Sequence, residues 1–136
     1  MAEKLKLDVV TPYGLVFSEE VDEIIASGSE GEFGVLPDHV PFLTTLKIGV
    51  LTFRKGSETG YIFINSGYAE VGPDRVTLLA DSAERSDAID IERAKEAMKR
   101  AEERLKKKQE IDEARATSSL ERALMRMQVA GKHQAR

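Results

Sequence analysis

The segment Ile91–Leu105 reads IERAKEAMKRAEERL, and its apolar residues recur at steps of 3, 4, 3 and 4 along one face of a helix. These positions are Ile91, Ala94, Met98, Ala101 and Leu105. The segment lies inside the longest part of the chain without glycine or proline, which runs from Asp74 to Ala130. Because both residue types are excluded from helix interiors, we expect helix over most of residues 87–136.

A second apolar seam follows, with steps of 4, 3, 4 and 3 through Ala116, Leu120, Ala123, Met127 and Ala130. Asp90 is the expected N-cap of the first helix, and Lys106–Lys108 suits its negative C-terminal end. Ser118 and Glu121 have the spacing of a capping box, but Ile111–Thr117 also reads as helical, which moves the predicted start of the second helix to about residue 110. The pattern predicts a helical hairpin, or two helices that can also straighten.

Both seams are poor in apolar bulk, since alanine supplies five of their ten positions. Each buried methylene contributes only about 0.8 kcal/mol, so the hairpin is predicted to be marginal in itself. A folded hairpin and an extended arm would then differ by a few kcal/mol, which a ligand can shift. A static two-helix appendage is the simpler alternative.

The first part of the chain reads as β-structure. All four prolines and nine of the ten glycines lie by residue 73, between short segments rich in Val, Ile, Phe and Tyr. The predicted strands are Lys4–Val9, Leu15–Phe17, Val21–Ala26, Gly34–Leu36, Ile48–Phe53, Tyr61–Asn65, Tyr68–Val71 and Arg75–Ala80. With no room for crossover helices, this spacing favours an antiparallel sandwich or flattened barrel.

The charge changes sign at the same place. Residues 1–86 carry 7 Lys and Arg against 14 Asp and Glu, whereas residues 87–136 carry 13 against 10, and the two nets of −7 and +3 give the total of −4. We therefore predict two domains, residues 1–86 and 87–136. The acidic balance argues against nucleic acid as a partner.

The remaining totals exclude several classes of protein. The chain has no cysteine, so disulfides and thiolate metal sites are excluded. No apolar run approaches the roughly 20 residues that a membrane helix needs, and Met1–Lys6 lacks the apolar region of a signal peptide. We expect a soluble cytoplasmic protein that reaches a membrane only through a partner.

No catalytic constellation is evident. His39 and His133 lie far apart without metal-ligand spacing, and no serine stands in a nucleophile-elbow pattern. The glycines at 28, 31 and 34 do not lead into the Lys-Ser/Thr helix start of a phosphate-binding loop, so we interpret them as turn residues. We predict no catalytic residues and no metal site.

The arginines of the tail fall at helical spacings. Arg115, Arg122 and Arg126 are 7 and 4 residues apart, and Arg93 and Arg100 are 7 apart. If the helices fold side by side, these guanidinium groups could converge on a phosphate through bidentate hydrogen bonds. The alternative is a solvated face with i,i+4 ion pairs.

Over essentially its whole length the chain resembles the epsilon subunits of bacterial F-type ATP synthases. The resemblance is carried by Leu7–Pro12, Gly28–Pro41, Gly67–Val71, Val76–Asp81 and Ile89–Ala94. It implies a β + α fold in which an N-terminal antiparallel β-sandwich of about ten strands precedes a C-terminal two-helix hairpin. It also implies a non-catalytic rotor subunit of the central stalk, in which the sandwich binds the gamma subunit and the c-ring and couples proton flow to rotation.

The resemblance also implies specific contacts. Glu32 and His39 correspond to loops that face the c-ring and the stalk. The helical tail of the family lies folded on the sandwich or extends into the alpha/beta catalytic head, where it inhibits ATP hydrolysis. The implied location is peripheral, on the cytoplasmic face of the bacterial cell membrane, with membrane association only through the complex.

Some bacterial members bind ATP on the folded tail, through the pattern Ile/Leu-Asp-x-x-Arg-Ala, which Ile89–Ala94 matches here. The implied regulatory residues are Glu84, Ile89, Asp90, Arg93, Ala94, Arg100, Arg122 and Arg126. No cofactor is required, and ATP would be a regulatory ligand that nothing in the chain hydrolyses. The alternative function is a free-standing β-sandwich adaptor whose helical tail docks on a partner protein.

Overall fold

The computed structural model describes residues 4–106 and 113–134, which form eight strands, a 3-10 turn at Ser86–Ala88 and two α-helices. The strands are β1 (Leu5–Thr11), β2 (Gly14–Val21), β3 (Glu23–Gly28), β4 (Gly31–Val35), β5 (Phe42–Leu46), β6 (Gly49–Lys55), β7 (Glu58–Val71) and β8 (Arg75–Arg85). The helices are α1 (Ile91–Lys106) and α2 (Glu113–Gln134). The chain divides into two compact units, Met1–Arg85 and Ser86–Arg136. The sequence predicted the boundary one residue later, between residues 86 and 87.

The strands pair in the order β2-β1-β8-β7-β5-β3-β4, and β6 pairs with both β3 and β7. The first half of β7 pairs with β6 and its second half with β5, while only the first half of β8 pairs with β1. Strands β7 and β8 therefore run through both layers of the sandwich. Divided at their midpoints, the eight strands give ten segments, which reconciles the observed count with the ten implied by the resemblance.

Residues Tyr61–Asn65 and Tyr68–Val71, predicted as two strands, belong to the single strand β7. Ser66 and Gly67 have φ angles of 56° and 134°, so the chain bends there, yet the pairing with β8 keeps one register on both sides of the bend. A Cβ at Gly67 would overlap the carbonyl oxygen of Leu79, so only glycine fits at this close approach. The predicted turn is thus a bend within a strand.

Two predictions for residues 28–46 were wrong in detail. The strand β5, which the sequence analysis omitted, follows Pro41, and its exposed Leu43 obscures the period of two. The glycine-rich stretch from Gly28 forms the β3–β4 hairpin, so β4 begins at Gly31 rather than Gly34. Gly31 has a φ of 128°, which explains the glycine at this turn.

Alternating side chains build the core of the sandwich, as the sequence predicted for β1, where Leu5, Leu7 and Val9 are fully buried. Phe17 of β2 and Phe53 of β6 lie with ring centroids 4.7 Å apart, although these two strands do not pair. This contact therefore joins the two layers across the core.

The helical unit is packed along the predicted seams. All five seam alanines are buried (Ala94, Ala101, Ala116, Ala123 and Ala130), and the five larger seam residues are half-buried. Ser118 lies inside α2 and is therefore not its N-cap. Of the two predicted starts of the second helix, the one before Ser118 agrees better with the structure. Lys107, Lys108 and the predicted start at residue 110 lie outside the described residues.

Candidate functional site

The start of α1 is built from the residues that the resemblance assigned to ATP. The Asp90 carboxylate accepts a hydrogen bond from the backbone N–H of Arg93 at 3.1 Å, and its carbonyl accepts one from the N–H of Ala94 at 3.0 Å. Asp90 is therefore the N-cap, as predicted. Ile89 and Ala94, on either side of the cap, are buried at the spacing of a hydrophobic staple. Three of the four fixed positions of the motif thus have a role in starting the helix.

The arginines of the predicted ATP site lie on both helices of the same unit. Arg93 and Arg100 are exposed on α1, whereas Arg122 and Arg126 are half-buried on α2. The Arg122 guanidinium donates to the Ser119 hydroxyl at 3.1 Å, within its own helix. Convergence of the four guanidinium groups on one phosphate stays a prediction.

Glu84, the remaining residue of the predicted ATP site, is half-buried in β8. It belongs to the strand unit, whereas the other seven belong to the helical unit. Its participation in nucleotide binding also stays a prediction.

Glu32 lies near the start of β4, whereas His39 lies in the loop that follows β4. Glu32 is exposed and lies opposite Ser27 in the β3–β4 hairpin. His39 is half-buried in the β4–β5 loop, where its Nδ1 lies 2.7 Å from the carbonyl oxygen of Val40 and its ring packs on Phe42 at 5.6 Å. They would therefore serve two separate contacts.

The sequence analysis missed an exposed apolar surface on the outer face of the strand unit. Four residues lie opposite one another across β2, β1, β8 and β7, and we call them the apolar row: Leu15, Val10, Leu79 and Tyr68. Leu15, Leu79 and Tyr68 are 62%, 51% and 56% exposed, and Val10 is half-buried. The nearby Leu43 is 70% exposed. Exposed apolar surfaces of this kind are typical of contacts with other proteins.

A signal for the apolar row was present in the sequence. The strands β1 and β8 each contain an apolar pair that interrupts the alternation of apolar and polar residues, Val9-Val10 and Leu78-Leu79. In each pair one member is buried and the other faces outward. In these two strands the second apolar residue of the pair is the sequence signal of the apolar outer face.

The charged residues at one end of the sandwich form a network around Asp22. Its carboxylate accepts a hydrogen bond from the N–H of Gly56 at 2.7 Å and lies 3.7 Å from Lys4 and 3.5 Å from Arg54. The Gly56 hydrogen bond is the main cause that lowers the pKa of Asp22, and the two cations act in the same direction. The pKa of Lys55 is raised, chiefly by its hydrogen bond to Glu19. These interactions connect the ends of neighbouring strands, and the charged groups do not surround a cleft.

Among residues 4–106 and 113–134, no group of three or more histidine and acidic side chains has the geometry of a metal site. No helix in the described part of the chain is long and apolar enough to cross a membrane.

Comparison with known proteins identifies the class of this chain. The beta-sandwich domain of the ATP synthase delta/epsilon chain matches residues 4–86, and the long alpha-helix domain of the same chain matches residues 87–131. The fold and these matches define a delta/epsilon-type chain of ATP synthase.

Comparison with curated relatives shows which of the delta/epsilon-type chains this chain resembles. The ATP synthase epsilon chain of Geobacter metallireducens is 58% identical over 134 residues, which cover 97% of both chains. That of Nitratidesulfovibrio vulgaris is 52% identical over 132 residues, covering 96% of this chain and 98% of the relative. The chain belongs to the family of ATP synthase epsilon chains, which are non-catalytic subunits of the complex.

Two solved structures share the fold at low sequence identity. A chain of the Euglena gracilis mitochondrial ATP synthase matches with a TM-score of 0.81 at 21% identity, covering 100% of this chain and 84% of that one. A chain from the central stalk and c-ring of the Tetrahymena thermophila enzyme matches with a TM-score of 0.54 at 18% identity, covering 68% and 71%.

Proposed function

We propose that the chain is a rotor subunit in the central stalk of a bacterial, proton-translocating F-type ATP synthase. In this role the sandwich binds the gamma subunit and the c-ring, and couples rotation of the ring to the catalytic head. The observation that carries the proposal is the apolar row, since an exposed apolar surface on a rigid sheet suits a permanent protein contact. The protein would be peripheral, on the cytoplasmic face of the cell membrane, and held there only by its partners.

The two loops at Glu32 and His39 are the proposed further contacts of the sandwich. Glu32 is exposed on the β3–β4 hairpin, which makes its carboxylate available to a polar loop of the c-ring. His39 lies near exposed Val40 and Leu36, which are 71% and 56% exposed and give the second loop apolar contact area. Separate positions suit a subunit that bridges two partners.

The helical unit is the proposed inhibitor of ATP hydrolysis. Its buried seam consists largely of alanines, which contribute little burial energy, so the helices can exchange contacts with one another for contacts with the alpha/beta head. The net charge of +3 over residues 87–136 favours an acidic surface on the partner.

ATP is the proposed regulatory ligand of this unit. Arg93, Arg100, Arg122 and Arg126 would bind its phosphates when the two helices lie side by side. ATP would thereby stabilise the folded tail over the extended one and relieve inhibition. Asp90 also caps α1 by accepting a hydrogen bond from the backbone N–H of Arg93. It would therefore affect ATP binding indirectly, by fixing the position of the Arg93 backbone.

Removal of residues 87–136 tests the inhibitory role. The full chain and the truncated chain would each be added to an alpha/beta/gamma complex that lacks this subunit, and binding and ATP hydrolysis would be measured together. We expect both to bind and only the full chain to inhibit. Equal inhibition by the two chains would contradict the tail mechanism, and failure of a correctly folded sandwich to bind gamma would contradict the rotor role.

An NMR titration with ATP tests the regulatory role on the full chain. We expect saturable shifts of amide signals in α1 and α2, and their loss in the double variant Asp90→Ala, Arg93→Ala. No shift at millimolar ATP would mean that the arginines form a solvated or stalk-binding face.

A further inference from the structure

A serine lies among the arginines of α2. Arg115, Ser119, Arg122 and Arg126 follow one another at steps of 4, 3 and 4, so their side chains share one face of the helix. The Ser119 hydroxyl accepts a hydrogen bond from Nη2 of Arg122, which lies 3.1 Å away and one turn further along the helix. The sequence predicted the spacing of the arginines, and the structure adds an uncharged member to this basic face.

Arg122 keeps its charge half-buried without an acidic partner. In the part of the chain that the structure describes, residues 4–106 and 113–134, neither Arg115 nor Arg122 forms a salt bridge. Arginines four residues apart on a helix, such as Arg122 and Arg126, repel one another, and partial burial makes each charge more costly. An anion bound at this face would reduce both costs.

The hydrogen bond to Ser119 uses only part of the Arg122 guanidinium. Arginine has five N–H donors, and Nη2 contributes one N–H to each of the two edges that form paired hydrogen bonds with a phosphate or carboxylate. Because Ser119 occupies one N–H of Nη2, the edge on the other side keeps both of its donors. The serine therefore restrains the group and leaves one edge to a ligand.

A hydroxyl group is well suited to this task. It is a neutral acceptor, so it holds the guanidinium without cancelling the positive charge, whereas a carboxylate in its place would neutralise Arg122 and repel a phosphate. Arginine also has much rotamer freedom, and freedom that is lost in the folded protein is not lost again when a ligand binds. Ser119 thus prepares Arg122 for an anion before the anion arrives.

We propose that Ser119 is a positioning residue for the phosphates of ATP, which holds the guanidinium of Arg122 at the basic face of α2 with one edge left to a phosphoryl group. This inference rests on the regulatory ATP binding proposed above. It goes beyond that proposal because Ser119 is not among the residues that the family resemblance assigns to the ligand.

Three single variants of the full chain test the role of Ser119 by titration with ATP. Ser119→Ala removes the acceptor and should weaken ATP binding about fivefold, since the ligand must then order Arg122 itself. Ser119→Thr keeps a hydroxyl and should bind ATP within about twofold of the unaltered chain. Ser118→Ala is the matched control, because it removes the same atom from a neighbouring half-buried serine and leaves the bond between Ser119 and Arg122 in place.

The stability of α2 separates a positioning role from a structural one. Alanine has a higher helix propensity than serine, so amide exchange in α2 should be unchanged or slower in Ser119→Ala. Weaker ATP binding by a helix that is no less stable is expected only if the serine acts on the ligand site. Nitrogen-15 NMR of the Arg122 side chain gives a direct signature. Rotation about its Nε–Cζ bond should be faster in Ser119→Ala than in Ser119→Thr or Ser118→Ala.

A double-variant cycle tests whether Ser119 acts through Arg122. Arg122→Lys keeps the charge but removes the paired N–H edge, so adding Ser119→Ala to it should change ATP affinity by less than about twofold. A fivefold loss in both backgrounds would mean that Ser119 affects ATP without Arg122, which would overturn the positioning role.

The remaining outcomes distinguish this inference from the proposed regulation by ATP. If the unaltered chain does not bind ATP at millimolar concentration, the regulatory proposal fails, and the role of Ser119 is overturned together with it. If the unaltered chain binds ATP, three results would overturn the role of Ser119 alone: equal binding by Ser119→Ala, an equal loss in Ser118→Ala, or unchanged rotation of the Arg122 guanidinium in Ser119→Ala.

Discussion

The two units of this chain are stabilised by different kinds of side chain. The sandwich buries large residues such as Leu5, Leu7 and Leu78 without measurable exposure, whereas the helical unit buries mainly alanines. Burial of a leucine contributes about 1.5–3 kcal/mol, and an alanine contributes far less. The same chain therefore combines a firmly held platform with a pair of helices whose mutual contacts are individually weak. The proposed rotor role with a movable tail would make use of this division.

The largest expected effect is a loss of stability of the sandwich. Leu78→Ala should lower the free energy of unfolding of the sandwich by about 3 kcal/mol, since it leaves a cavity in a closed core. Urea unfolding followed by NMR signals from both units would measure the loss. The matched control is the neighbouring Leu79→Ala, which removes the same atoms from a side chain that is 51% exposed and should cost less than about 1 kcal/mol. Equal losses for the two variants would contradict the assignment of inner and outer faces.

The next prediction concerns the close approach of the helices. Ala123 is fully buried, so Ala123→Leu should force α1 and α2 apart at a cost of about 1–3 kcal/mol. Amide hydrogen exchange should accelerate in both helices and stay unchanged in β1 and β8. Thr117→Leu, at an exposed position of α2, is the control for added bulk. Slower exchange in Ala123→Leu would mean that the seam has room for larger residues, and that close approach of the helices does not depend on alanine at this position.

The sequence predicted the layout of both units because hydrophobic period and turn residues are local signals. The helical seams were predicted residue by residue, and all ten positions are buried or half-buried. The course of β7 was not predicted, because the bend at Ser66 and Gly67 resembles a turn locally, and only the continuous register with β8 shows that it is a bend.

The candidate sites were predictable to different degrees. The motif from Ile89 to Ala94 was identified through the family resemblance, and the structure confirms the capping role that the sequence predicted for Asp90. The apolar row was missed because its members come from four strands that are distant in sequence. Only pairing of the strands brings Leu15 and Tyr68 into one line.

The cap of α1 offers a smaller but more specific test of the helical unit. Asp90→Ala should destabilise the start of α1 by about 1 kcal/mol, whereas Asp90→Asn should keep most of the stability, since an amide oxygen also accepts the Arg93 N–H bond. Amide exchange over residues 91–95 would measure the difference. ATP titration of the two variants then separates the roles. Loss of binding in Asp90→Asn with an intact cap would show that the negative charge matters beyond capping, and unchanged binding would make Asp90 a positioning residue.

The smallest expected effect concerns the charge network around Asp22 in the sandwich. Because the pKa of Asp22 is lowered from its ordinary value of 3.8, the folded state binds this proton more weakly than the unfolded state does. The resulting stabilisation is present above pH 3.8 and is lost as the pH falls through the lower pKa of the folded state. In the variant Asp22→Asn, the sandwich should lose this part of its acid dependence, and its stability should fall less steeply between about pH 5 and pH 2.

Urea unfolding at a series of pH values would measure the slope, with Glu30→Gln on the exposed β3–β4 turn as the control. The helical unit should show no change of slope in Asp22→Asn, since the Asp22 network of Lys4, Arg54 and Gly56 lies within the strand unit. A parallel change in both units would mean that they unfold as one cooperative body. The tail would then be coupled to the platform, and the contrast between a fixed sandwich and adjustable helices would hold for packing but not for unfolding.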